Sequence, residues 1–491
     1  MVTFTFSLIA LVLGYLIYGR YISRLFHPHL SRKTPAMAHP DGVDYIAMPT
    51  WKVFMIQFLN IAGTGPIFGA IMGAKFGPVA YLWIVFGCIF AGAVHDYLSG
   101  MLSVRNDGAG LPELIGRYLG KPTKMVMLCF SVVLLVMVGA VFVYSPAIIL
   151  SGMWGDLTMW FIIIFVYYIF ATMLPIDKII GKIYPLFAIS LLFMAAALMV
   201  GLYVKNPTLP EMWTDLGNLG AKTDDSFTDP IFPCLFITIA CGAISGFHAT
   251  QSPLMARCIK SERLGLPIFY GAMITEGIVA LIWATVSMYF FYDSPEQGYN
   301  LIEGAAETGF HTSAPKVVSL VCNDWLGMLG GILALLGVVA APITSGDTAF
   351  RSARLIIADF MHMSQRPIVN RLLVSVPLFI VAIALLLWQI DNPDGFNIIW
   401  QYFGWANQTL SVFTLWMLTV YLARKRKNYI VTLVPALFMT TVCCTFIFVS
   451  PQALGLSTTL GYSLGGVCLL IAFVRFAIWK YNYDKRVALK R

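Results

Sequence analysis

Apolar residues run through this chain in long blocks, with polar residues gathered in the gaps between them. A helix that crosses hydrocarbon needs roughly 20 apolar residues. Thirteen blocks meet that length and predict membrane helices at 3–23, 51–74, 77–103, 125–151, 157–175, 183–204, 231–256, 266–292, 326–358, 368–390, 396–421, 429–450 and 457–479. Two blocks contain residues that a continuous helix does not favour: Asn60-Ile61-Ala62-Gly63-Thr64-Gly65-Pro66, and Cys241-Gly242-Ala243-Ile244-Ser245-Gly246-Phe247-His248. In hydrocarbon every backbone N–H and C=O must find a partner within the protein. An interruption at membrane depth therefore belongs where the chain lines a cavity or meets a ligand. The ninth block carries a third expected break, at Pro342-Ile343-Thr344-Ser345-Gly346-Asp347.

Setting aside the first block and the last two leaves ten, from about 51 to 421, with the interrupted ones first and sixth. Five helices separate the two equivalent features, and an odd number places the halves in opposite orientations. The spacing predicts an all-α polytopic membrane protein with a LeuT-like (APC-type) 5+5 inverted repeat and discontinuous core helices one and six. The predicted divisions are 1–50, an extra helix and loop; 51–204, the first five-helix repeat; 205–421, the second; and 422–491, two extra helices and a tail.

Composition agrees with the blocks. The 491 residues are 59% hydrophobic and 11% charged, against about 25% charged in soluble domains. The net charge of +8 reads as topology rather than as nucleic-acid binding. If alternate loops are cytoplasmic, beginning after the first helix, they hold 26 Lys and Arg while the opposite loops hold 4. That bias predicts an outer N-terminus and an inner C-terminus. The two longest outer loops, 206–229 and 293–325, are acidic (Glu211, Asp215, Asp224, Asp225, Glu296, Glu303, Glu307), and either can hold a short surface helix. Nine cysteines without a C-x-x-C pair argue against a disulfide framework or a zinc motif. Residues 1–18 lack a basic start and a small-residue cleavage site, and are expected to stay as a helix. No Walker loop, G-x-S-x-G elbow or H-E-x-x-H helix is present, and no cytoplasmic segment is long enough for a nucleotide-binding domain.

The candidate chemistry sits at the interruptions and at charges inside apolar blocks. Ala62, Gly63, Thr64, Gly65 and Pro66 free backbone groups, and the half-helix from Pro66 turns its positive end toward a carboxylate; a proline kink is the structural alternative. Ser245, Gly246, Phe247, His248 and Gln251 form the second such site, with His248 either binding substrate or simply bonded to a neighbour. Thr344, Ser345, Asp347 and Thr348 are oxygen-rich, as hard cations require. A charged Asp at mid-bilayer costs about 2.5–3.5 kcal/mol, which pairing with Arg351 at i+4 would offset. By analogy with the fold, Thr344 and Ser345 are candidate sodium ligands facing core helix one. His95, Asp96 and Glu276 are intramembrane ionisable groups and mark ion or proton routes. Asn407 and Gln408 on core helix ten glue helices or line the cavity.

At these residues the chain resembles the carbon starvation protein A (CstA) family. The resemblance lies in Ile61-Ala62-Gly63-Thr64-Gly65-Pro66, in Ala91-Gly92-Ala93-Val94-His95-Asp96, in Ile239 to His248, in Thr344 to Leu355 and in Phe403-Gly404-Trp405-Ala406-Asn407-Gln408. It implies a bacterial inner-membrane transporter for peptides or, in some members, for pyruvate with protons, active during carbon limitation. The expected function is uptake of a small carboxylate-bearing nutrient coupled to protons or sodium, with no other cofactor. A membrane-embedded enzyme using His95, Asp96 and His248, or a nutrient sensor on a transporter fold, are the alternatives.

Overall fold

The computed structural model describes residues 1–40, 45–173, 176–214, 216–223, 228–292, 313–363, 367–392 and 395–489. Its main helices are α1 (Val2–Phe26), α2 (Thr50–Ile61), α3 (Gly65–Ala74), α4 (Val79–Val104), α5 (Lys121–Ser151), α6 (Leu157–Met173), α7 (Ile176–Lys205), α8 (Gly246–Ala256), α9 (Gly271–Tyr292), α10 (Ala314–Phe360), α11 (Ile368–Asp391), α12 (Gly395–Arg424), α13 (Ile430–Val449) and α14 (Thr458–Leu489). Among the described residues there is no strand. Several of these helices are long and apolar enough to cross a membrane, and exposed Leu, Ile, Val and Phe coat the outer helices α11 and α14, as a lipid-facing surface requires. The protein is an all-helical, multi-pass membrane protein.

The loops sort to two ends. At one, Arg105 donates to Glu262 (Nη2–Oε2 3.0 Å), Lys427 reaches the carbonyls of Leu25 and Phe26, and Arg424 reaches that of Tyr118. Burial, with the nearby Arg105 and Lys425, holds the Lys427 ammonium below its ordinary pKa. At the other end, the amino group of Met1 pairs with Glu211, Lys205 with Asp324, and Tyr292 donates to the carbonyl of Lys75. These are the two loop sets that the alternation of basic residues separates.

Two expected interruptions are present. α2 ends at Ile61, α3 begins at Gly65, and the two are bent by 45°. The second lies between Thr238 and Gly246. It turns at Gly242, whose φ of +89° suits glycine because a Cβ is disfavoured there; the N–H of Ile244 closes the turn on the carbonyl of Ala240.

The third expected break is corrected. α10 runs helically through Pro342 to Asp347, and its one non-helical residue is Gly327. Pro342 removes a single backbone donor. The Thr344 hydroxyl donates to the carbonyls of Ala340 and Ala341, the Tyr168 hydroxyl donates to that of Pro342, and the helix continues without unwinding. The expected inner loop at 176–182 is also different: it is the start of α7. In the outer loops, Leu219–Thr223 is a short helix, and the turns from Ala314 to the kink at Gly327 are another, after which the long part of α10 starts close to the expected 326; Asp215, Asp224, Asp225, Glu296, Glu303 and Glu307 lie outside the described residues.

Candidate functional site

The second break is where buried charge collects. His248, one turn into α8, places Nδ1 2.8 Å from Asp96 Oδ2 on α4. The other Asp96 oxygen is 2.7 Å from His95 Nδ1. A carboxylate only accepts, so both ring nitrogens donate to it. On its far side His248 Nε2 faces Glu276 Oε2 of α9 at 3.4 Å, and neither atom completes a well-formed hydrogen bond there. The other Glu276 oxygen accepts the N–H of Gly242, at 3.1 Å. His95, Asp96, His248 and Glu276 thus form one continuous polar chain across α4, α8 and α9, and all four side chains are fully buried.

Asn407 of α12 holds the same break from another side. Its Oδ1 accepts from the Phe247 N–H (2.7 Å) and the Ser245 hydroxyl (3.1 Å). Asn407 thus takes the second N–H of α8, that of Phe247, as a side-chain cap. Asn407 both glues helices and lines the break. Its neighbour Gln408 donates to the carbonyl of Phe236.

The first break packs directly on the second. A Cβ at Gly65 would lie 2.3 Å from Cys241 Sγ, and one at Gly63 would lie 3.0 Å from Ser345 Oγ. Ser345 Oγ also approaches the Leu59 carbonyl, at 3.4 Å. The polar side chains of this break have few partners. Among the described residues, both amide atoms of Gln57 and Asn60, the Thr64 hydroxyl, His95 Nε2 and Gln251 Oε1 are buried without a hydrogen-bond partner, although Gln251 Nε2 reaches the Thr250 hydroxyl. Each such group costs about 1–3 kcal/mol unless something fills the need.

The oxygen-rich cluster on α10 divides. Ser345 belongs to the first break, but the hydroxyls of Thr344 and Thr348 donate to carbonyls of their own helix. Asp347 lies elsewhere, 3.8 Å from Arg351 and accepting from the Tyr184 hydroxyl at 3.2 Å; Arg351 also donates to the Ala171 carbonyl. Sequence reasoning placed Asn60 and Cys241 in the broken stretches without naming them as site residues, and did not single out Gln57 or Tyr184. For the two amides a signal exists, since they are polar residues inside the apolar run from Val53 to Ile61.

At the end where the basic loops meet, a cavity of about 740 Å³ is lined by Glu113, Lys124, Thr250, Arg257 and Phe360, among others. It reaches α8 two residues beyond His248.

Comparison with known proteins follows this geometry. The family model for carbon starvation protein CstA matches residues 1–155, 143–322 and 302–446. An uncharacterized membrane protein of Haemophilus influenzae is 46% identical over 344 residues, covering 60% of this chain and 92% of that protein. The peptide transporter CstA of Escherichia coli is 26% identical over 554 residues, covering 88% and 78%. The pyruvate/proton symporter BtsT of the same organism is 25% identical over 572 residues, covering 89% and 79%. Among solved structures, a manganese transporter of Eremococcus coleocola superposes with a TM-score of 0.58 at 12% identity, over 91% of this chain and 99% of that one; that likeness is one of fold.

Proposed function

The chain belongs to the carbon starvation protein CstA family, and we propose that it is a secondary active transporter that imports a small carboxylate-bearing nutrient, a peptide or pyruvate, together with protons. One observation carries the reading: His95, Asp96, His248 and Glu276 form a fully buried polar chain that ends on the backbone of a broken helix. Ionisable groups are expensive at membrane depth and mark ion and proton pathways there. Because Glu276 both touches this chain and accepts the Gly242 N–H, a proton arriving on it changes the partner of the break itself. That is the coupling a symporter needs between charge and conformation.

In this reading substrate enters beside the first break. Gln57, Asn60 and Thr64 offer side-chain donors and acceptors that nothing among the described residues uses, and amide N–H groups suit a carboxylate. Residues 51–204 and 205–421 act as the two inverted repeats. The cavity at Lys124 and Arg257 serves as the inner vestibule, so the conformation is the one that releases substrate. A sodium ion is the second candidate for the driving ion, because Ser345 Oγ and the Leu59 carbonyl lie together at the first break.

The test is uptake of labelled pyruvate and of a labelled dipeptide into proteoliposomes under a proton or a sodium gradient imposed alone. Proton-driven accumulation of one compound, lost in Glu276→Gln, is expected. Accumulation that follows sodium alone, and is lost in Ser345→Ala, would replace the proton by sodium. No accumulation of either compound by folded protein overturns the reading.

A further inference from the structure

We propose that Cys241, His248 and Glu276 form a binding site for one borderline transition-metal dication of the Zn²⁺ class, where the second break meets α9. The proposal does not require the transport reading. One ligand atom from each residue, the Cys241 sulfur, a His248 ring nitrogen and a Glu276 oxygen, lies within 4.8 Å of the other two, and all three residues are buried. Sulfur, imidazole and carboxylate together are a donor set for Zn²⁺ or Co²⁺, not for Mg²⁺ or Ca²⁺.

The geometry around the histidine is the stronger argument. Asp96 Oδ2 occupies Nδ1 at 2.8 Å, which leaves Nε2 as the ring nitrogen that a metal ion would take in place of a proton. Nε2 faces a carboxylate oxygen 3.4 Å away. Bonds of about 2.0–2.3 Å at tetrahedral angles separate ligand atoms by roughly 3.3–3.8 Å, so nitrogen and oxygen already stand at ligand spacing. A carboxylate on the second nitrogen of a ligating histidine is also the usual support for a metal site.

The sulfur is the ligand atom that must adjust, since the three lie within 4.8 Å rather than at ligand spacing. Cys241 lies in the non-helical break, beside the turn at Gly242, which is held by the Ile244 N–H on the Ala240 carbonyl and by Glu276 rather than by a continuous helix. The Asn407 amide approaches Cys241 Sγ at 3.8 Å and so orients it. On binding, the thiol releases its proton to solvent and the thiolate becomes the third ligand. The fourth position stays open to water or substrate. The cavity lined by Thr250 comes within two residues of His248 along α8.

The experiment uses the full-length protein in detergent, titrated with Co²⁺. The expected result is one Co²⁺ per chain, with the near-ultraviolet thiolate-to-cobalt absorption and the intense visible bands of a tetrahedral ion. Cys241→Ser abolishes the thiolate absorption, Glu276→Gln weakens binding by at least about tenfold, and Cys129→Ser, at an exposed cysteine, changes nothing. Folded wild-type protein without the thiolate absorption overturns the proposal, as does an undiminished absorption in Cys241→Ser. If Cys241→Ser does not fold, Glu276→Gln binding Co²⁺ as tightly as the wild type overturns it instead.

Discussion

The two broken helices arise from the same backbone problem and are settled in opposite ways. At the second break, side chains from three other helices serve the freed groups: Glu276 takes the Gly242 N–H, Asn407 takes the Phe247 N–H and the Ser245 hydroxyl, and Asp96 fixes His248. At the first break, Gln57, Asn60 and Thr64 bring more polar atoms to a bend, and their side chains have no partners among the described residues. A buried polar group is cheap when paired and costly when orphaned. The second break is therefore a fastened joint, and the first is a surface with unmet hydrogen bonds. A transporter needs both kinds, one to hold charge in register with the backbone and one to receive cargo.

This contrast can be broken by mutation. The largest loss of stability is expected for His248→Ala, which leaves Asp96 and Glu276 buried without the imidazole between them. Removing one partner of a buried charged pair costs about 3–5 kcal/mol, and thermal melting in detergent reads it. Next is Asn407→Leu, which orphans the Phe247 N–H and the Ser245 hydroxyl at a cost of about 2–3 kcal/mol. Gly65→Ala follows, at about 1–3 kcal/mol from overpacking against Cys241. The smallest change is expected for Asn60→Leu at the first break, which melts within about 1 kcal/mol of the wild type, or above it, because no internal hydrogen bond is lost. Its substrate KM rises all the same. If Asn60→Leu melts as early as Asn407→Leu, the first break is as fastened as the second and the distinction falls.

Much of this was legible in the residue order, for a physical reason. Breaks show in sequence because glycine and proline act locally, as at Gly63 to Pro66 and at Gly242. The sorting of Lys and Arg between loops carries topology in the same local way. What stayed hidden depends on distance. Nothing along the chain says that Asp96 and His248, 152 positions apart, share a hydrogen bond, or that Asn407 caps a half-helix beginning at Gly246. The i+4 spacing of Asp347 and Arg351 was visible because both lie on one helix, whereas the Tyr184 hydroxyl on the same carboxylate was not. Pro342 misled for the converse reason: its local signal is that of a break, but the helix continues through it, packed on a distant Tyr168 whose hydroxyl bonds its carbonyl.

Gly246 has one more consequence. A Cβ there would lie 2.4 Å from the Asn407 carbonyl oxygen and 2.4 Å from the Ser411 nitrogen, so the main chains of α8 and α12 touch with nothing between them. Two surfaces in such contact cannot slide past each other without a collision. A tilt of the half-helix that carries His248 toward α12 is expected to push α12 along with it. The far end of α12 reaches Arg424, beyond the buried centre, where a spectroscopic label can be attached without disturbing the site. The motion of a segment too deeply enclosed to be observed directly can be followed from there.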